Sequence, residues 1–224
     1  MAVIIQGNGG TAAEVDGTAF RAVRITPRPT DHGSLGHYGV SIQSGIMAAA
    51  LGANSEIFQF RNAHASNIVL INEIKISAAV TTTFFAAGVP MQLRMLKATG
   101  WSAAGSGGTR VSPAALLKKR TSMGSSSLTA SDIGISSTAA LTAGTKTLET
   151  EAMAGLVASC PITASLNGNI ISPGTILFRA EAGDGQHPLA LVNNEGFVIT
   201  SVAVPATGTW TFNVQVDWTE VTAY

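Results

Sequence analysis

The chain has 224 residues, of which 46% are apolar, enough to build a full core in one large β domain. Only 12% are charged, against roughly 25% in ordinary soluble domains, and the formal net charge is zero. Such a surface favours association; it argues against a basic nucleic-acid binder and suits an assembly subunit better than a free enzyme, unless Thr and Ser hydroxyls simply supply the polar face.

Residues 1–19 are Gly, Ala and Thr around a short apolar start, Val3-Ile4-Ile5. They read as an arm that becomes ordered when it lies on a neighbour. Phe20–Thr26 reads as a short strand flanked by Arg21 and Arg24 and closed by Pro27 and Pro29, since proline offers no ladder donor. Residues 1–30 are therefore assigned as an arm carrying one strand, and 31–224 as a single β-sandwich domain.

From His37 to Met47 apolar Tyr38, Val40 and Ile42 alternate with Gly39, Ser41 and Gln43, the period of a half-buried strand. A Gly/Asn turn over 51–55 precedes Glu56–Arg61, and Ile68–Ser77 is a strong strand. Val89–Lys97 alternates through Met91, Leu93 and Met95. The Gly/Ser stretch Gly100–Gly108 reads as flexible. Ser112-Pro113 followed by Ala, Leu and Lys to Lys119 reads as a helix of a turn or two, with Ser as cap, Pro in the first turn and lysines at the end.

Beyond it, 121–127 is loop, and 148–158 fits helix and strand equally well. Pro173-Gly174 marks a turn before a strand at Thr175–Arg179. The densest apolar cluster comes last. Trp210, Phe212, Val214, Val216 and Trp218 occupy every second position, with Thr211, Asn213, Gln215 and Asp217 between them. Before it runs the β-branched stretch Phe197–Val204, with Pro205 and Thr207-Gly208 between the two, and together they read as an antiparallel hairpin. Eight to ten short strands separated by regular turns predict an all-β, jelly-roll-like antiparallel sandwich.

The residues point to no reaction. Cys160 is the only cysteine, so it forms no internal disulfide or Cys-based metal cage and reads as a small core residue. His32, His37, His64 and His187 fall in no paired-ligand spacing, so no metal or other cofactor is expected. Gly7–Thr11 and Gly105–Thr109 resemble phosphate loops in composition alone. Neither ends in Gly-Lys-Ser/Thr. A Ser-His-Asp triad would leave no sequence signature, and nothing here selects one.

The longest apolar run, Ile46–Leu51, is far short of a bilayer span. With no signal-peptide pattern at the start, the expectation is synthesis in a cytoplasm. Residues 1–120 carry eleven basic and five acidic residues, and 121–224 carry two and eight. The two halves either dock with opposite charge or interleave in one sandwich. Lys118-Lys119-Arg120 is the one basic cluster; it has no interleaved aromatics and reads as a solvated loop end or a contact for an acidic surface.

Several stretches resemble a family of tailed-bacteriophage jelly-roll virion proteins: Asp31–Tyr38, Ser55–Arg61, Arg120–Gly124, Ile135–Thr145, and Gly208–Trp210 through Trp218–Val221. The resemblance is spread over most of the chain and contains no catalytic motif. It implies a head decoration, or cement, subunit on the capsid surface, made in the host bacterial cytoplasm. The implied partners are the major capsid protein and further copies of the chain, as dimer or trimer, with no nucleic acid or membrane. Phe20, Arg21, Arg24, Lys118, Lys119 and Arg120 are the candidate contact residues. The alternatives are a host-glycan or receptor-binding module, with Trp101 as its exposed aromatic platform, and another head or tail component.

Overall fold

A computed structural model describes residues 35–48, 51–82, 85, 90–112, 117–160, 169–180, 187–203 and 207–223. The arm 1–30, with Phe20, Arg21 and Arg24, lies outside them. Thirteen strands occupy the described residues: β1 (Gly36–Gln43), β2 (Met47–Ala48), β3 (Ser55–Asn62), β4 (Ile68–Val80), β5 (Met91–Ala103), β6 (Thr109–Val111), β7 (Ile133–Ile135), β8 (Thr145–Leu148), β9 (Ala154–Ala158), β10 (Asn169–Arg179), β11 (Leu189–Leu191), β12 (Glu195–Ala203) and β13 (Thr209–Val221).

They form two antiparallel sheets stacked as a sandwich, so the all-β expectation holds. The first sheet runs β1-β13-β4-β10, with β2 on β13 and β11 on β4. The second runs β6-β7-β3-β12-β5-β8, with β9 also on β5. The ambiguous stretch 148–158 thus resolves into the end of β8 and the whole of β9.

β13 is the spine of the first sheet, paired with β1 along one side and β4 along the other. Its alternate positions Trp210, Phe212, Val214, Val216 and Trp218 are all buried, while Thr211, Asn213, Gln215 and Asp217 are half-buried on the outer face. Trp218 joins the two sheets. It stacks on Tyr38 of its own sheet at 5.8 Å and meets Phe60 of the other sheet edge-on at 5.4 Å. Phe60 in turn stacks on Phe197 across the β3–β12 ladder at 5.3 Å. Burying each such ring contributes about 1.5–3 kcal/mol, and offset or edge-to-face contacts add about 0.5–1.5 kcal/mol.

The predicted terminal hairpin is not formed. β12 pairs with β3 and β5 in the second sheet, while β13 lies in the first. Both strands direct apolar residues at one core, from opposite sides. Alternation reports which face is buried but not which strand is the neighbour, and a Pro/Gly link serves an arch between sheets as well as a hairpin. β12 is moreover buried on both faces. Phe197 and Ile199 enter the main core, and Val198 packs with Leu96, Ala98 and Trp101 in a small second core outside the sheet.

Other expectations need correction. Pro173-Gly174 is not a turn ahead of a strand that starts at Thr175: β10 runs through it from Asn169, with a bulge between Ile171 and Thr175 and Gly174 at φ 77°. That left-handed φ suits glycine. Gly100–Gly108 is not a loose linker. Its first part completes β5, the Ser106 carbonyl accepts from Thr142 N at 3.0 Å, and a Cβ at Gly105 would stand 1.8 Å from the Thr142 carbonyl oxygen. The predicted helix at 112–119 is not present where it is described. Lys118 makes an antiparallel bridge with Tyr38, extending the edge of β1, and 113–116 lie outside the described residues.

A buried carboxylate pins the loop over 121–128. Glu220 is 1% exposed and accepts hydrogen bonds from Ser127 N at 2.9 Å, Ser127 Oγ at 2.6 Å and Trp218 Nε1 at 3.2 Å, with Ser126 Oγ a further donor. Burial, with the nearby Glu220 charge, pushes the Tyr38 phenol above its ordinary pKa. It therefore keeps its proton, with the carbonyls of Leu35 and Gly124 both 3.1 Å away.

Candidate functional site

Two polar clusters stand out, one on the outer face of each sheet. The first follows from the alternation of β1, β4 and β13. Their inward positions are apolar, so His37, Lys75 and Asp217 face outward, with Arg179 joining from β10. A bulge between Asp217 and Trp218 leaves Asn72 without an opposite residue. Its side chain donates to Thr219 Oγ1 at 2.7 Å, and its carbonyl accepts from Ala180 N at 2.8 Å. The result is a shallow groove lined by His37, Asn72, Glu73, Lys119, Arg179 and Asp217.

The charges in this groove are arranged in opposed sets. Glu73 accepts from Arg179 Nε at 2.6 Å and also pairs with Lys75. Burial raises the Glu73 pKa, but the hydrogen bonds and charges of Lys75 and Arg179 more than offset it and hold the carboxyl below its ordinary value. Lys119 Nζ lies 2.6 Å from Asp217 Oδ1. Gly39 makes room for that pair, because a Cβ there would stand 2.3 Å from Asp217 Oδ1 and 2.6 Å from Lys119 Cε.

The predicted basic cluster is thereby divided. Lys118 is half-buried in the bridge to Tyr38, Lys119 is held by Asp217, and Arg120 is exposed. Among the described residues charges of the two halves interleave, since Lys119 and Arg61 of the first half pair with Asp217 and Asp132 of the second. The chemistry available in the groove is recognition by hydrogen bonds and paired charges.

The second cluster lies outside β3, under the segments that follow β5 and β7. A register shift between Ile199 and Thr200 places a bulge at Ile57. This sets Glu56 and Gln59 on one face, although they are three residues apart. Gln59 Nε2 donates to Glu56 Oε2 at 2.6 Å and to the Thr142 carbonyl at 2.8 Å. Lys146 Nζ reaches the same Glu56 oxygen at 2.8 Å and lies 4.5 Å from the centre of the Trp101 ring.

Trp101, expected as an exposed platform, is fully buried and donates through Nε1 to the Ala103 carbonyl at 3.1 Å. Beside this cluster Arg61 Nε donates to Asp132 Oδ1 at 3.0 Å. A strict period of two puts Glu56 on the face of Phe58 and Phe60, so sequence reasoning missed the Glu56–Gln59–Lys146 group. The one signal present was the break in alternation at Ile57-Phe58, two adjacent apolar residues between polar Glu56 and Gln59.

The histidines are dispersed. His37 lines the groove, and His64 Nδ1 accepts from Ser66 N at 3.3 Å and Asn67 N at 3.1 Å. His187 is exposed beside the Pro188 carbonyl, and His32 lies outside the described residues. Among the described residues no three His, Cys, Asp or Glu converge on one point, and no helix is long and apolar enough to cross a membrane. Cys160 sits in the main core, where burial pushes its thiol pKa up. Comparison with protein-family models, with curated proteins and with solved structures returned no match.

Proposed function

We propose that the chain is a structural virion protein of a tailed phage, decorating or cementing the capsid by binding the major capsid protein and neighbouring copies of itself. The observation that carries this reading is the strand order. With β1, β3, β4, β5, β9, β10, β12 and β13 counted as strands one to eight, the sheets run 1-8-3-6 and 2-7-4-5. That order supports a jelly roll of two Greek keys, an architecture used by viral capsid and lectin domains. Fold alone does not select a function. The phage-like segments in the sequence favour the virion role, with no catalysis, cofactor, nucleic acid or membrane involved.

The groove around Lys119, Asp217, Glu73 and Arg179 is the contact surface this reading favours, with Lys118 and Arg120 at its margin. A non-obligate interface is only about as apolar as the rest of a protein's surface, so a polar groove can serve as one. The second contact proposed in this reading is between the arm 1–30, with Phe20, Arg21 and Arg24, and a neighbouring subunit. The glycan-binding alternative loses its motive, because the Trp101 ring is buried beneath Lys146.

Cryo-electron microscopy of intact particles tests the proposal. The expected result is sandwich density repeated over the capsid lattice; density confined to the tail, or none, would overturn it. Deleting residues 1–19 should weaken attachment of the purified protein to stripped capsids, measured by co-sedimentation. Unchanged attachment would remove the arm from the interface.

A further inference from the structure

The Glu56–Gln59–Lys146 cluster is more than an ion pair. The side chains of Lys146 and Glu56 are 2% and 7% exposed, and Gln59 is 1% exposed. One carboxylate oxygen, Glu56 Oε2, contacts both the amine of Lys146 and the carboxamide nitrogen of Gln59. Gln59 Oε1 is buried with no hydrogen-bond partner among the described residues. A buried ion pair requires neither the carboxamide nor an unpartnered carbonyl oxygen, which is costly to leave in a dry interior. An amine and a carboxamide gathered on one carboxylate oxygen, a proton carrier, in a desolvated pocket are the components of acyl transfer.

We propose that Lys146 and Gln59 join in an autocatalytic side-chain amide bond, with Glu56 carrying the proton. Glu56 takes a proton from the Lys146 ammonium. The freed Nζ lone pair attacks Gln59 Cδ, and the carbonyl π electrons move to Oε1. Collapse restores the carbonyl and expels Nε2, which receives its proton back from Glu56. The departing ammonia takes the remaining excess proton from Nζ and leaves as ammonium. One C–N bond forms and one breaks, nothing is oxidised, and Glu56 ends as it began.

Three features support the reaction. Burial pushes the Lys146 pKa down, against the opposing pull of Glu56, which brings the neutral amine within reach. The apolar Trp101 ring and the covering segments exclude water, the competing nucleophile. Fixed neighbours also react with effective molarities of about 10⁵–10⁸ M when well oriented. The bond would tie β3 to β8 across the outer face of the second sheet, strands that share no ladder.

Intact-mass spectrometry of the full chain, purified and then denatured, tests this. The wild type is expected to be lighter than its sequence by one ammonia. A tryptic digest should contain a branched peptide joining Gln59 to Lys146, uncleaved after Lys146. Lys146→Arg keeps a cation beside Glu56 but removes the nucleophile, and should show the full sequence mass. Glu56→Gln should do the same while remaining folded by circular dichroism. A wild-type chain at full mass overturns the proposal. So does the loss of one water with a Lys146–Glu56 branch, which would make Glu56 the acyl donor. A Glu56→Gln chain that still loses ammonia at the wild-type rate overturns the role given to Glu56.

Discussion

At Gly39 and Gly105 the neighbours decide what a methyl group costs. A Cβ at Gly39 meets the ends of two flexible side chains, Asp217 and Lys119. They can swing apart, and the lost pair is solvent-screened, because the Lys119 side chain is 43% exposed. Gly39→Ala should therefore cost less than about 1 kcal/mol. A Cβ at Gly105 meets the backbone carbonyl of Thr142, which is held in place by its own segment. Gly105→Ala should cost about 1–3 kcal/mol as overpacking. Urea midpoints of the two variants check the ordering, and equal losses would contradict it.

Glu73 supplies a pH dependence. Its folded pKa lies below the ordinary value of 4.5. Its contribution to stability is therefore complete above that value and is lost as pH falls through the lower folded value. The difference in thermal midpoint between wild type and Glu73→Gln should be constant near neutral pH and should shrink in acid. A difference that grows in acid would reverse the sign. None of these residue-level facts was legible in the sequence. Each depends on which strand lies alongside, as Gly39 faces Asp217 only because β1 pairs with β13.

Among the elements, β13 was the most legible. Its alternation gave the buried face residue by residue, because a strand with one wet side must write its burial in a period of two. Trp218→Ala should cost about 3–5 kcal/mol, since the ring fills space between both sheets. Gln215→Ala on the outer face should stay within about 0.5 kcal/mol. Comparable losses at the two sites, by chemical denaturation, would refute the assignment of faces.

β12 was legible as a strand and not as a partner. Its continuous apolar run reflects burial on both faces, which a reading of isolated segments cannot tell from proximity to β13. The bulges at Ile57, Asn72 and Gly174 were also hidden. A one-residue insertion leaves no compositional mark unless glycine or proline carries it, and at Pro173-Gly174 that mark read as a turn.

For the molecule as a whole, composition and strand spacing were sufficient for the all-β class. They did not supply the order of strands, because antiparallel neighbours here are rarely consecutive in the chain. The charged groove on the first sheet was partly legible. Lys119 of the predicted basic cluster lines it, but its partner Asp217 and the neighbouring Glu73–Arg179 pair come from distant strands.

The place of β13 bears on biosynthesis. Residues 209–221 are translated more than a hundred positions after β4, yet the first sheet has no middle until they emerge and slot between β1 and β4. A ribosome-bound chain stalled before residue 209 would carry two strands awaiting a shared neighbour, with their apolar sides open to other nascent chains. Folding of this sheet is thus committed after translation of the C-terminal strand, which makes chaperone demand during high-level synthesis a direct outcome of its topology.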